Sequence, residues 1–558
     1  MSKPASTKAC TFLLEVYNNL FGFIELAVNS PQPLTLTSCN RIRRGRPYQF
    51  IVVDLFILAV FMKKLAVATL IYISAPSFLF TYFWLKPFYA CICLVCLMTA
   101  LLIALACITE QEEAISQKQE FRKIVISSSL ISLIICLCSE FGAISYQSFD
   151  YIAHNYKLNL LATSELPLYS STRDLHMCYY LGYYIIPALL GKYSSLAHVA
   201  ICYFLWSWIG LSMTLAWIQY SVIHMNPVQR ISVCVLVVAG SYVSIILPAV
   251  KWLIDEAPIQ NGSTIVVQGK FLLNQIPALT RGLSESTQHT IPCILGISFL
   301  LGVWSRKGFF FPVLFFLLST LFVSPFATIG LLPFVLILFI RRLLKNWKPF
   351  VRGLLLYSIP LVVAFLPVVL FLAGSKAIEM SSNGLIWQTG TSFWWLYYLL
   401  YLFSSYGIWI VLFKTDLFIF NRAAMLTSIA FMSLITFFQV GYYNDLHIRS
   451  TVVPQIVFGI SISHVIVLNF RQVLRKRHLA LGIAFWLLNT LAPVKFFYDR
   501  IFVLKGHRNT IAQPTLPGIK GDYYDILEQS YIGNGKEVVM QYSLQKNTIF
   551  EKYLLNRK

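Results

Sequence analysis

The sequence predicts an all-α fold, a polytopic bundle of transmembrane helices with about 13 to 15 spans. Of its 558 residues, 57% are hydrophobic and only 12% are charged, whereas a soluble domain carries about 25% charged residues. Apolar runs of about twenty residues recur along the chain, and in lipid such a run must form a helix because its backbone groups find no water. The runs are apolar on all sides, which argues against a membrane barrel, whose strands alternate apolar and polar residues.

The basic residues predict membrane topology and do not point to nucleic acid. The net charge is +21, and its lysines and arginines concentrate in short stretches between apolar runs, such as 41–46, 341–352 and 471–477. This is the distribution that the positive-inside rule requires, and no nucleic-acid-binding motif accompanies it. The twelve cysteines lie mostly within apolar runs and lack zinc spacing, so we interpret them as small hydrophobic residues.

The chain divides into an N-terminal extension, 1–48, a transmembrane domain, 49–497, and a small C-terminal tail domain, 498–558. We expect the tail and a large loop at 142–177 to lie outside the cytoplasm, because the loops placed opposite them are rich in Lys and Arg. The stretch 49–62 reads as one more span or an interfacial helix, and 178–190 as a re-entrant or surface segment. The predicted helices are 66–84, 88–108, 122–140, 178–190, 195–217, 231–250, 287–304, 309–323, 326–342, 350–373, 394–413, 418–439, 451–469 and 478–497.

The outer loop, 142–177, holds residues suited to acid–base chemistry. If 148–162 is helical, Asp150 and His154 lie one turn apart on one face. A carboxylate beside an imidazole at a membrane boundary is a plausible general-base pair. The alternative is a solvated loop with incidental charges. The tyrosines of the following segment, 179–192, form either an aromatic belt at the membrane interface or a surface for stacking on a sugar.

Two later segments carry polar residues at the starts of apolar runs. His289 is either a satisfied interfacial histidine or a donor to a substrate phosphate. Arg449 lies just before an apolar span on the predicted outer face, against the positive-inside bias, which suggests that it holds an anionic headgroup. The alternative is an ion pair with Asp445 at i,i+4.

These segments together resemble the C-type glycosyltransferase superfamily (GT-C), and more closely a group of bacterial multi-spanning proteins of that kind. Asp-Tyr-x-x-His-Asn, Glu-Leu-Pro and YYLGYYIIPALLGK resemble its first large outer loop, at 150–155, 165–167 and 179–192. Four further stretches are similar in the same order: TQHTIPCILGISFLL at 287–301, SPFATIGLLPF at 324–334, YNDLHIRSTVVP at 443–454 and MQYSLQKNTIFEKYLL at 540–555.

The resemblance implies a GT-C-like fold and a membrane glycosyltransferase in the bacterial inner (cytoplasmic) membrane. It would move a hexosyl or pentosyl group from a polyprenyl-phosphate-linked donor to a lipid or glycan acceptor of the envelope, on the outer face. Asp150 matches the position of the family's acidic base, and His154 is its predicted catalytic neighbour. The predicted substrate-binding residues are Asn155, Glu165, Arg173, His176, His289, Asn444 and Arg449.

The sequence departs from the family pattern at the second acidic position. Many members have two acids close together there, whereas here the nearest candidates besides Asp150 are Glu140, Glu165 and Asp174. The second acidic role and the use of a divalent metal therefore stay open, and no cofactor or metal ligand is assigned. Two other functions also stay open: a non-enzymatic transporter or flippase of lipid-linked glycans, and an envelope assembly scaffold.

Overall fold

Long apolar runs become helices throughout the part of the chain that the structure describes. The structure is a computed structural model. It describes residues 48–108, 116–141, 147, 150–179, 181–240, 265–267, 270–272, 279–306, 308–345, 347–375, 383–385, 387, 394–440, 444–470, 476–498, 523–530 and 539–556. The chain divides into two compact units, Met1–Leu55 and Phe56–Lys558. Of the first unit only the start of the first helix is described, and all contacts below belong to the second.

The helices of the N-terminal half agree with the predicted positions except at two places. The predicted helix 231–250 ends at Ala239, and its part from 241 onwards lies outside the described residues. The predicted extra element 49–62 is continuous with 66–84 in a single helix, because no helix-ending residue separates them. The helices are α1 Tyr48–Trp84, α2 Pro87–Ala106, α3 Ser116–Leu137, α4 Asp150–Thr163, α5 Gly182–Ser194, α6 Val199–Ser221 and α7 Pro227–Ala239.

The described helices of the C-terminal half range from 6 to 27 residues in length. The predicted helix 394–413 is interrupted by a π-helical turn, Phe403–Gly407. The helices are α8 Leu279–Glu285, α9 Thr287–Val303, α10 Phe310–Val323, α11 Pro325–Lys345, α12 Trp347–Ala373, α13 Trp394–Leu402, α14 Ile408–Phe413, α15 Arg422–Ile435, α16 Asp445–Ser450, α17 Val452–Asn469, α18 Arg477–Tyr498 and α19 Tyr523–Ser530.

Among the described residues, six helical segments are long and apolar enough to cross a membrane. Four shorter apolar helices, α7, α9, α10 and α15, accompany them. The chain is therefore a multi-pass membrane protein, although the predicted 13 to 15 spans are not confirmed. The six segments are Met62–Trp84, Pro87–Ala106, Leu196–Ser221, Pro325–Lys345, Trp347–Ala373 and Asp445–Asn469.

Helix α5 occupies the segment predicted to be re-entrant or interfacial. It has 13 residues and is largely buried. Thirteen residues rise about 20 Å, which is shorter than the roughly 30 Å of a bilayer's hydrocarbon core. This helix alone cannot cross the membrane, which agrees with the expectation.

Short strands tie the outer loop to the C-terminal tail. Strands β1 Tyr169–Ser170 and β2 Leu175–Met177 form a hairpin, and β7 Ser543–Leu544 of the tail pairs antiparallel with β2. The other strand pairs are β3 Ile265–Val267 with β4 Lys270–Leu272, and β5 Gly384–Leu385 with β6 Phe438–Gln439.

The tail also packs onto the helices. Phe550 contacts Phe80 and Phe371, with ring centroids 5.9 and 5.2 Å apart, and Leu555 forms a backbone bridge with Leu85. Because the tail pairs with the outer loop, we expect both to lie on the same side of the membrane. That this side is outside the cytoplasm, and that the tail is a separate small domain, stay predictions.

Candidate functional site

Helix α4 carries two polar side chains on its buried face. His154, Lys157, Leu158 and Leu161 are all buried, and their spacing of i, i+3, i+4 and i+7 places them on one side of the helix. The two leucines supply the apolar contact that holds the helix against the bundle. The prediction that the outer loop is partly helical is confirmed, and the helix begins at Asp150. The Asp150 side chain lies outside the described part of the structure, so its role as base stays a prediction.

His154 is held at both ring nitrogens. Its Nε2 lies 3.3 Å from the Glu285 carbonyl oxygen, which can only accept, so Nε2 carries the proton. Its Nδ1 therefore accepts a hydrogen bond of 2.8 Å from the Tyr184 hydroxyl. Burial, and then the charge of Lys157, hold the pKa of His154 well below its ordinary value. A neutral ring engaged in this way positions α4 and Tyr184, and it is poorly placed to take a proton itself.

Lys157 lies between two aromatic rings in the interior. It is 3% exposed, and its Nζ lies 5.1 Å from the Tyr179 ring centroid and 5.0 Å from that of Tyr184. The negative faces of the rings stabilise the ammonium group in place of water. Sequence reasoning missed this residue, because a lysine in a polar loop resembles an ordinary solvated charge. Lys157 lies three residues beyond His154 and so on the same face of α4, and this spacing is the signal that could have identified it.

His289 and Arg449 meet across one phenylalanine. His289 is 1% exposed, its Nδ1 lies 2.8 Å from the Ser324 hydroxyl, and its ring lies 5.5 Å from that of Phe326. The Arg449 guanidinium lies 5.8 Å from the same Phe326 ring. Ser324 also accepts the Ala327 backbone N–H at 3.2 Å, which caps the first turn of α11.

Arg449 forms the ion pair that its spacing predicted. Its Nε donates to Asp445 Oδ1 at 2.9 Å, and the second contact from the guanidinium is also 2.9 Å. The side chains of Arg449 and Asp445 are 20% and 21% exposed, so the pair lies at the edge of the interior. Asn444 precedes them in the left-handed conformation, with φ of 52°, and its side-chain oxygen accepts the Val440 N–H at 3.2 Å. It shapes the turn into α16.

We call the side chains of His154, Lys157, His289 and Arg449 the cationic cluster. Its charges are those of Lys157 and Arg449, and Asp445 pairs with Arg449. The charges of Lys157 and Arg449 act on both histidines. The segment of Glu285 and His289 contacts α4 through the Glu285 carbonyl oxygen. His289 contacts Ser324 and Phe326, and Phe326 in turn faces Arg449. Residues from four distant stretches of the chain therefore converge in space.

The cluster lies at the N-terminal ends of apolar helices. His289 is the third residue of α9, Phe326 the second of α11, and Arg449 the fifth of the membrane-crossing segment Asp445–Asn469. Helix N-termini carry partial positive charge. The starts of these helices therefore add partial positive charge close to the side chains of the cluster.

Two other predicted residues, Asn155 and Arg173, have partners outside the cluster. Asn155 is buried and donates to the Gln147 side-chain oxygen at 2.9 Å, which fixes the start of α4. The Arg173 guanidinium forms ion pairs with Asp525 and Glu528 of the tail, at 2.5 and 2.8 Å. These partners give both residues a structural role, and their contact with substrate stays a prediction.

Glu165 and His176 lie together, away from the cationic cluster. Both line a cleft between the outer loop and the tail, and His176 is the β2 residue paired with Tyr169 and Leu544. Within the described residues, no three His, Cys, Asp or Glu side chains come close enough to hold a metal ion.

Comparisons of the chain with protein-family models, with curated proteins and with solved structures gave no match.

Proposed function

We propose that the chain is a membrane glycosyltransferase of GT-C type that uses a polyprenyl-phosphate-linked sugar donor. The observation that carries the proposal is the cationic cluster at the ends of the membrane-crossing helices. Lys157 and Arg449 are the permanent charges, and Asp445 is the carboxylate that contacts Arg449. A lipid phosphate entering from the bilayer would find charge-assisted donors at its own depth.

The proposed chemistry is a displacement at the anomeric carbon of the donor. The acceptor hydroxyl oxygen attacks that carbon, the bond from carbon to the phosphate oxygen breaks, and the acceptor proton passes to a base. Asp150 is the proposed base, because it begins α4, one turn before His154. The polyprenyl phosphate leaves with the bonding electrons, and its growing negative charge is what Arg449 and Lys157 would stabilise.

The roles of the two histidines differ from those of the charged residues. His154 would act as a positioning residue, since it holds Tyr184 and the Glu285 carbonyl. His289 is fixed through Ser324 and Phe326 beside Arg449. It would orient the phosphate by a hydrogen bond from its ring.

The test is transfer of labelled sugar from polyprenyl-phosphate donors by the full chain in proteoliposomes. Asp150→Asn should lower the rate by about 10²- to 10⁴-fold, the usual loss of a general base, while donor binding is retained. Arg449→Ala should weaken donor use, and Arg449→Lys should rescue only part of it because lysine lacks the planar fork. Arg422→Ala is the matched control, since this arginine is exposed and is not part of the cluster.

The transporter alternative uses the same cluster and predicts a different result. A flippase would move the lipid-linked donor between leaflets and would show no transfer with any donor. Full transfer activity in Asp150→Asn would remove this residue from the mechanism. Unchanged donor use in Arg449→Ala would leave its pair with Asp445 as a purely structural contact.

A further inference from the structure

A cavity lies where the end of α4, the β1–β2 hairpin and the tail meet. Its volume is about 710 Å³, and it lies outside the cationic cluster. Ligand sites in proteins measure roughly 300 to 1,000 Å³, so this cleft is large enough for a ligand of several rings. Residues that line it include Glu165, Tyr169, Asp174, His176, Lys546 and Glu551.

The charge of this cleft is opposite in sign to that of the cluster. Three carboxylates, Glu165, Asp174 and Glu551, face one lysine, Lys546, among its lining residues. The hydrogen bond from Lys546, and then that from the Tyr169 hydroxyl at 2.6 Å, lower the pKa of Asp174, so this carboxylate stays ionised. A phosphate or another polyanion is disfavoured here, whereas hydroxyl groups can donate to the carboxylates.

An aromatic ring forms one wall of the cleft. Tyr169 is 52% exposed, and its ring centroid lies 4.9 Å from that of His176. The same tyrosine lines a smaller neighbouring cavity of about 190 Å³, together with the hydroxyl residues Ser170, Ser171 and Thr172. An exposed aromatic face among carboxylates and hydroxyls suits a ligand with both C–H and O–H surfaces.

We propose that this cleft binds a neutral saccharide segment, which in the transfer reaction is the acceptor. Its role as acceptor rests on the proposed function, whereas the binding does not. The cleft begins at Ser164, seven residues beyond Lys157, which corresponds to roughly 10 Å along the axis of α4. A saccharide lying in the cleft can therefore extend towards the cluster that would hold the donor phosphate.

The experiment measures binding of defined tetrasaccharides to the full chain in nanodiscs by calorimetry. The neutral probes are tetramers of glucose, mannose, galactose and N-acetylglucosamine, and tetragalacturonate is the acidic comparator. At least one neutral tetramer should bind more tightly than the acidic one. Tyr169→Ala should weaken that binding about tenfold, and Tyr169→Phe should retain most of it because the ring remains. Tyr193→Ala, at a tyrosine that is 81% exposed and outside the cleft, is the matched control.

A second variant tests the charge argument without removing the ring. Glu165→Gln should reduce the preference for neutral over acidic tetramers, because one carboxylate is lost. The proposal is overturned if no neutral tetramer binds, if tetragalacturonate binds most tightly, or if Tyr169→Ala binds like the Tyr193→Ala control. Polyprenyl phosphate binding is measured on the same samples. If the lipid binds and the saccharides do not, this inference fails and the proposed function stands. If the saccharides bind and the lipid does not, this inference stands and the proposed function fails.

Discussion

The substitution Lys157→Met separates a structural lysine from one that binds phosphate. Lys157 is 3% exposed, and its Nζ lies 5.0 and 5.1 Å from the centroids of two tyrosine rings. Methionine has a similar length and flexibility and packs well against aromatic rings, so it removes the charge and leaves most of the packing. The change therefore tests what the charge does.

The expected magnitudes differ for stability and for binding. Each cation–π contact contributes about 1 kcal/mol, and removing a buried charge offsets part of this loss, so the unfolding midpoint should move little. A charge-assisted hydrogen bond to a phosphate contributes about 1.5 to 3 kcal/mol. Its loss should raise the Kd for polyprenyl phosphate roughly 10- to 150-fold.

The assay compares polyprenyl phosphate with the uncharged polyprenol in nanodiscs containing the full chain. Lys157→Met should lose affinity for the phosphate and keep its affinity for the alcohol. Lys192→Met is the matched control, because Lys192 is exposed and its Nζ donates to the Ser164 carbonyl at 2.8 Å. An unchanged ratio of the two affinities in Lys157→Met would refute the assignment of this lysine to the phosphate.

Three further predictions concern pH, the tail and topology. Burial, then Lys157, lower the pKa of His154 below its ordinary 6.5, so the unfolded chain binds more protons below that pH. Its stability contribution is therefore complete above about pH 6.5 and is lost as pH falls, and unfolding midpoints should fall less with acid in His154→Gln than in wild type. Phe550→Ala removes a fully buried ring that packs against Phe80 and Phe371, a loss of about 3 to 5 kcal/mol that should expose the tail to protease. Tyr553→Ala, at a ring that is 52% exposed, should not have this effect. Single cysteines at Ser171 and Asn547 in a cysteine-free background should react from the same side of the membrane, and labelling from opposite sides would contradict the β2–β7 pairing.

The helices were predictable because lipid makes the apolar run itself the structural signal. The predicted helix 287–304 corresponds to α9, Thr287–Val303, and 350–373 to the C-terminal part of α12. The number of spans was less predictable, because an apolar run can also form a short buried helix such as α5. Whether such a helix crosses the bilayer depends on its length and tilt, which the packing of its neighbours determines.

The local contacts of the candidate site were predictable, and the distant ones were not. The pair of Arg449 with Asp445 follows from spacing within one helix. The meeting of His154, His289 and Arg449 joins segments more than a hundred residues apart, which no local pattern specifies. Arg173 shows the same limit, because its ion-pair partners, Asp525 and Glu528, lie far along the chain in the tail. The sequence position of a charged loop residue does not identify the residue with which it pairs.

The tail and the cationic cluster are physically coupled through one pair of rings. The ring of Tyr542 in the tail packs at a tilt against that of Tyr179 with centroids 3.8 Å apart, and its hydroxyl donates to that of Tyr179 at 3.0 Å. Tyr179 is in turn one of the two rings beside Lys157. The backbone repeats the link, since the Cys178 N–H donates to the Tyr542 carbonyl at 2.9 Å. Displacing β7 would therefore remove the contact of Tyr542 with Tyr179, which lies beside Lys157. It would also remove the side of the saccharide cleft that the tail forms. A chain organised in this way needs its C-terminus in place for both proposed sites, although the last residues lie more than 350 positions from α4.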